Sequence, residues 1–158
     1  KEKEEKVKEQ EKEKRIEQRQ IAKERIPVIA KSLLECKQGV ITVDDITMEL
    51  ADSGKANFCY STSDNYDDVF HIGLGETLCK ADPKLVYCGL FEQGEKIRVI
   101  VYAGEDISKE KSAGEIVKSI SQILGGAGGG SPKFAQGGGI EKSKKEDAIK
   151  NAKSMIIE

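Results

Sequence analysis

The residues best placed to do chemistry are concentrated in one stretch, GGAGGGSPKFAQGGG at positions 125–139. More than half of it is glycine, which resists regular structure and lets a backbone approach a ligand closely. A glycine-rich loop is therefore expected. Backbone N–H groups of such a loop can receive phosphate oxygens, and Lys133 adds a cation. Two phosphate-binding motifs are excluded. A dinucleotide fingerprint needs a strand before it and a helix directly after it, whereas here a helical pattern comes first. A P-loop needs Gly-Lys-[Ser/Thr], and no lysine follows Gly128-Gly129-Gly130. A flexible linker is the plain alternative. Against it stands the core Ser131-Pro132-Lys133-Phe134-Ala135-Gln136, in which proline restricts the backbone and Phe134 is expected to pack.

Little else in the chain suggests catalysis. Cys36, Cys59, Cys79 and Cys88 lie far apart without a C-x-x-C pair, and His71 is the single histidine. Zinc spacing is missing, so ordinary buried thiols in a reduced, cytoplasmic setting are expected, with no metal site and no special role for His71. No apolar run is long enough to cross a membrane. Charged residues make up 34% of the 158 residues, yet the net charge is -2. Distribution says more than the sum: acids outnumber bases over 44–95, and lysines outnumber acids over 133–153. A basic end on a near-neutral chain suits phosphates, although lysines on a solvated helix face would give the same pattern.

The elements that must position these residues follow from periodicity. Residues 1–20 are almost all Glu, Lys, Arg and Gln, good helix formers, with Glu2–Lys6, Glu4–Lys8 and Glu11–Arg15 spaced for i,i+4 pairing. Lys14 interrupts any heptad seam between Val7 and Ile21, so no strong coiled coil is encoded. Ala22, Ile26, Ile29, Ala30 and Leu33 then form an apolar stripe. Pro27 within it predicts a kink or a restart, and Gly39 is placed as a C-terminal cap. Strands are expected at 40–43, 46–51 and 56–60, followed by a helix presenting Tyr66, Val69, Phe70, Gly73, Leu74 and Leu78, with Asp64 as its N-cap and Pro83 at its end. Residues 85–91 and 97–103 read as a hairpin whose strands are apolar on nearly every residue, as in a sheet covered on both faces. Two capping boxes, Ser112-x-x-Glu115 and Ser143-x-x-Glu146, open helices. Their inward faces are Ile116, Val117, Ile120, Ile123 and Leu124 in the first, and Ala148, Ile149, Ala152, Met155 and Ile156 in the second. The fold class is α+β: a small mixed β-sheet backed by helices, with a glycine-rich loop and an N-terminal helical arm. Residues 1–38 form the arm, or oligomerisation subdomain, and 39–158 the globular subdomain. A charge run without an initial methionine suggests a piece of a longer protein.

The segment Gly-Gly-Gly-Ser-Pro-Lys-Phe-Ala-Gln-Gly-Gly-Gly, between an amphipathic helix and a lysine-rich one, resembles the glycine-rich motif of the DHH-associated domain, in the version found in alanyl-tRNA synthetases. Gly128–Gly130, Pro132, Ala135, Gln136 and Gly137–Gly139 carry the match, and the Ser-Pro-x-Phe form has an archaeal look. The resemblance covers roughly residues 40–158. DHH phosphoesterases, the sister group, place a histidine after the glycines and then Ala-Ala-Gly. Ser131 stands where that histidine would fall, and Ala135-Gln136 replaces Ala-Ala.

The resemblance implies a non-catalytic domain that contacts the outer corner of tRNA(Ala) and takes part in dimerisation, supporting aminoacylation and editing by the parent ligase. The expected tRNA-binding residues are Gly128, Gly129, Gly130, Ser131, Lys133, Gln136, Gly137, Gly138, Lys142, Lys144 and Lys145. The expected dimerisation residues are Ala22, Ile26, Ile29, Ala30 and Leu33; packing of this stripe on its own sheet is the alternative, and the apolar face of the last helix is a second candidate interface. No cofactor is expected in this chain. ATP, magnesium and zinc are implied for the parent, whose ATP-binding and zinc-binding editing motifs have no counterpart here. Two other readings stay open: a nucleic-acid substrate-binding domain of a DHH phosphoesterase, and a pure oligomerisation module.

Overall fold

The computed structural model describes residues 2–35, 39–43, 46–52, 56–63 and 68–157, with side chains described for most of 2–35 and for 56–62 and 68–157. Among the described residues seven strands form one sheet in the order β1-β2-β3-β4-β5-β7-β6. They are β1 (Gly39–Val43), β2 (Ile46–Asp52), β3 (Asn57–Ser63), β4 (Leu85–Gln93), β5 (Lys96–Ala103), β6 (Ala127–Gly130) and β7 (Phe134–Gly139). β3 and β4 run parallel, and every other neighbouring pair is antiparallel. Among the described residues the α-helices are α1 (Glu2–Glu35), α2 (Asp68–Ala81), α3 (Ala113–Ile123) and α4 (Lys145–Ile157). The α+β architecture with a mixed sheet and a leading helix is as the patterning predicts.

Each face of the central strands has its own core. Val86, Cys88, Leu90, Ile97, Val99 and Val101 meet α3 and α4 through Ile116, Val117, Ile120, Ala148, Ala152 and Ile156. On the other face Cys59, Leu85 and Tyr87 meet Phe70, Leu74 and Leu78 of α2 and Ile29 and Ala30 of α1. Successive residues of a strand point to opposite faces, so β4 and β5 must be apolar at nearly every position to satisfy both layers. Burying each such side chain is worth roughly 1.5–3 kcal/mol. The helix faces read from the sequence are the buried ones, with Ile123 and Met155 at the margin.

Several local expectations change. The glycine segment is not a loop: its two halves are the adjacent strands β6 and β7. Glycine is unfavourable in a strand on entropic grounds, but it marks places where backbones or helices approach closely, and that need prevails here. α1 continues through Pro27 without restarting. The proline ring faces solvent, and its missing N–H is one lost bond in a 34-residue helix. Gly39 opens β1 with φ of 118°. α1 ends at Glu35, and residues 36–38 between them lie outside the described residues, as does the Asp64 cap. Ser112 stands at the N-cap of α3 but makes no side-chain cap bond. Ser143 lies in a 3-10 turn, Lys142–Lys144, ahead of α4, so its box is displaced from the helix start.

Gly73 and Gly75, which weaken the helix pattern over 68–81, have packing reasons. A Cβ on Gly73 would come within 2.6 Å of Ile26 Cδ1, and one on Gly75 within 2.9 Å of Tyr87 and Tyr102. The two glycines let α1 and the sheet approach α2.

Candidate nucleic-acid interface

α3 lies directly on the glycine strands, and the residue types on both sides fit that contact. A Cβ on Gly128 would meet Val117 Cγ1 at 2.6 Å and Ser121 Oγ at 2.8 Å; one on Gly137 would collide with the same two side chains. Ser121 Oγ accepts the Gly138 N–H at 3.2 Å, and the Ser121 carbonyl accepts the Gly126 N–H at 2.8 Å. Gly125 (φ 76°) follows Leu124, the C-cap of α3, in the left-handed conformation that ends many helices. β7 then pairs with β5 on one side and β6 on the other, leaving β6 at the sheet edge.

The tip of the hairpin is closed on itself. Ser131 Oγ donates to the Phe134 carbonyl at 3.1 Å and accepts from the Phe134 N–H at 3.1 Å. The Pro132 and Ser131 carbonyls accept the first N–H groups of α3, from Ala113 at 2.8 Å and Gly114 at 3.2 Å. These bonds take the place of the capping box and use the helix N–H groups that an anion would otherwise seek. The Lys133 carbonyl accepts from Ala103 at 2.8 Å, while the Lys133 side chain is exposed. Phe134 is half-buried, its ring 5.2 Å from that of Tyr102.

The residues expected to meet RNA thus divide. Gly128, Gly137 and Gly138 are held by α3 or β5, and the Ser131 hydroxyl closes the tip. The Lys142 ammonium donates to the Gly94 carbonyl at 2.6 Å and lies 3.8 Å from Glu92, tying the start of α4 to the β4–β5 turn. Gly129, Gly130, Lys133, Gln136 and Lys144 face solvent, and Lys145 is half-buried. Of the stripe on α1, Ile29 and Ala30 are covered by α2 of the same chain and Ile26 packs at the edge of that core; the side chains of Ala22 and Leu33 lie outside the described residues. The apolar face of α4 is covered by α3 and the sheet.

Arg98 and Lys96 were missed. A cleft of about 420 Å³ opens beside the hairpin between the end of β5 and the glycine strands, lined by Lys96, Ile97, Arg98, Gln136, Ala127, Ile140 and the glycines Gly125, Gly126 and Gly137–Gly139. No carboxylate lines it. Arg98 is half-buried; its Nη2 donates to Gln136 Oε1 at 3.4 Å, and its Nε is buried with no partner among the described residues. An N–H taken from water without a partner costs on the order of 1–3 kcal/mol. The available signal was alternation: Lys96 and Arg98 interrupt an otherwise apolar strand at positions two apart, on one face.

His71, for which no special role is expected from the sequence, is part of the interior. It is fully buried, with Nδ1 2.7 Å from the Tyr87 hydroxyl and 3.3 Å from Ser61 Oγ. Ser61 and Tyr87 also share a hydrogen bond of 2.5 Å. The imidazole stacks on Phe91 at 5.2 Å and occupies the space a side chain at Gly89 would need, 2.5 Å from a Cβ built there. Burial pushes the His71 pKa down to about 3, so the ring is neutral near pH 7. Burial likewise pushes the Cys79 and Cys88 thiols up to about 12 and raises Cys59 further. These three cysteines are free and buried; Cys36 lies outside the described residues. No cluster of three His, Cys, Asp or Glu able to hold a metal occurs among the described residues, and none of their helices is long and apolar enough to cross a membrane.

A mixed sheet covered on both faces and extended by a glycine hairpin is a recognisable class of α+β domain. The chain belongs to the DHHA1 domain family, whose model matches residues 56–158. Among its relatives, an alanine–tRNA ligase from Nitrosopumilus maritimus is 43% identical over 86% of this chain and 14% of its own length. That from Cenarchaeum symbiosum is 41% identical over 58% of this chain and 10% of its own length. A bacterial alanine–tRNA ligase, from Burkholderia mallei, is 32% identical over 80% of this chain and 14% of its own length. The chain therefore spans about a seventh of these ligases or less. The fold is that of the C-Ala domain of Aquifex aeolicus alanyl-tRNA synthetase, with a TM-score of 0.65 at 24% identity, covering 70% of this chain and 99% of that one.

Proposed function

We propose that the chain is the C-terminal domain of an alanine–tRNA ligase, that it binds the outer corner of tRNA(Ala), and that it takes part in dimerisation in support of aminoacylation and editing by the whole enzyme. The observation that carries the proposal is the family match over residues 56–158 together with relatives that are alanine–tRNA ligases. The cationic, carboxylate-free cleft beside the glycine hairpin adds a surface of the right sign. Folded RNA is recognised through shape, phosphates and 2′-hydroxyls. All members of the expected contact set are exposed or half-buried, and Gly129, Gly130, Ser131, Lys133, Gln136 and Lys144 are the exposed ones.

The domain has no catalytic role in this reading, and the cytoplasm is its setting. ATP, magnesium and zinc belong to parts of the ligase outside these 158 residues. The arm spans 1–38 and the globular subdomain 39–158. Ile29 and Ala30 are covered by α2, so dimerisation through α1 draws on its exposed length, where Val7 and Ile16 face solvent.

A filter-binding titration tests the proposal. The chain is expected to prefer intact tRNA over an RNA duplex of equal length, with log affinity falling by about 0.7–0.9 per phosphate neutralised for each decade of salt. Equal binding to both RNAs would remove corner recognition. Light scattering is expected to give a dimer at micromolar concentration; a monomer throughout would remove dimerisation by this chain.

A further inference from the structure

Building on the reading of the chain as an RNA-contacting domain, we propose that the cleft between β5 and the glycine hairpin is a phosphate-receiving site. Its ligand is an RNA phosphodiester, held by Arg98 with Lys96 at the rim and the glycine backbone as the floor.

Three observations converge on it. Two buried side-chain nitrogens lack a partner among the described residues, His71 Nε2 and Arg98 Nε, and of the two only Arg98 stands beside a cleft. The side-chain hydrogen bond that Arg98 makes among the described residues, to Gln136, is long at 3.4 Å. A guanidinium in that condition matches phosphate, which accepts two parallel N–H bonds from the same fork. The lining is also of one sign, with Lys96 and Arg98 present and carboxylates absent. Lys142, bonded to Gly94 and close to Glu92, is not among the cations that line the cleft.

The third observation concerns which glycines the fold requires. Within the hairpin, a Cβ on Gly126, Gly128, Gly130, Gly137, Gly138 or Gly139 would press on neighbouring atoms. Gly129 differs. A Cβ there meets nothing within 4 Å, and its backbone is not in the left-handed region. It lies on the edge strand directly opposite Gln136, whose amide holds Arg98. Packing gives no reason for a bare backbone at that position, whereas an RNA strand passing over Gln136 does. A cleft of about 420 Å³ admits a nucleotide's phosphate and sugar, not merely an ion.

The test compares the 158-residue chain with Arg98→Gln, Arg98→Lys and Ala127→Glu. Ala127 is exposed and lines the cleft, so its substitution places an anion there without entering the core. Circular dichroism melts establish that each variant is folded. In tRNA filter binding, Arg98→Gln and Ala127→Glu are each expected to weaken binding at least tenfold. Arg98→Gln should also lower the salt slope by about 0.7–0.9, one phosphate's share. Arg98→Lys should restore the slope but not the full affinity. If the wild-type chain binds tRNA and both cleft variants bind equally well, the cleft assignment is wrong and the functional reading stands. If the wild-type chain does not bind tRNA, the functional reading fails. Amide shifts of Gly126 and Gly138 on adding tripolyphosphate then decide the cleft alone. Saturable shifts abolished by Arg98→Gln sustain it, and their absence overturns it.

Discussion

Two polar residues at one face of the sheet, His71 on α2 and Arg98 on β5, meet opposite fates. His71 and Arg98 are separated by a single ring: Phe91 stacks on the His71 imidazole and is the direct cross-strand partner of Arg98. His71 belongs to α2, the helix that roofs this part of the sheet; there the charged form is expelled, and Ser61 and Tyr87 take up one ring nitrogen. Over Arg98 no described helix closes the face, and the guanidinium lies beside a cleft; among the described residues each leaves one buried nitrogen unmet, Nε2 of His71 and Nε of Arg98. The lesson is that a helical roof, rather than residue type, decides whether a polar group here becomes part of the core or part of a surface.

The largest effect that sharpens this contrast is acid destabilisation through His71. Its folded pKa, about 3, lies below the ordinary value of 6.5. Between those values the unfolded chain holds the extra proton, so the contribution is fully present above about pH 6.5 and is lost as pH falls toward 3. The loss amounts to about 1.4 kcal/mol per pH unit across the window. Urea titrations at pH 7, 5 and 4 should show it, and His71→Phe should flatten this component, because Ser61 and Tyr87 still bond each other at 2.5 Å. An unchanged pH slope in His71→Phe would break the comparison on the covered side.

The next effect is steric. Gly137→Val forces a side chain into Val117 and Ser121, and overpacking of this kind costs typically 1–3 kcal/mol. A fall of roughly 2–4 °C in Tm for each kcal/mol is expected. Gly89→Ala, which crowds the His71 ring, belongs in the same range. The smallest effect is on the open side: Gly129→Ala should leave stability within about 0.5 kcal/mol of wild type. A large destabilisation there would mean that the fold, and not a ligand, requires the bare backbone opposite Gln136.

Much of this contrast was illegible beforehand, and the reasons are specific. His71 sits among Phe70, Ile72 and Leu74 on an amphipathic helix, and nothing local says that a glycine eighteen positions later leaves it a socket. Lys96 and Arg98 could have been read as one uncovered end of a buried strand, because they alternate with Ile97 and Val99. The alternation was visible; which layer failed to extend over it was not.

What the sequence by itself determined is what depends on near neighbours. The inward faces of α3 and α4 follow from helical periodicity. The β4–β5 hairpin and its two-sided burial follow from two continuous apolar runs, and the family follows from the pattern over 128–139. What only the tertiary structure decided is how closely separate elements approach. Glycine reads locally as a breaker, and so a loop was expected; with α3 laid on Gly128 and Gly137, the same residues become the ones that permit strands. Glycine's preference in isolation is a matter of backbone entropy, and its placement here is a matter of the space a Cβ would occupy between a helix and a sheet.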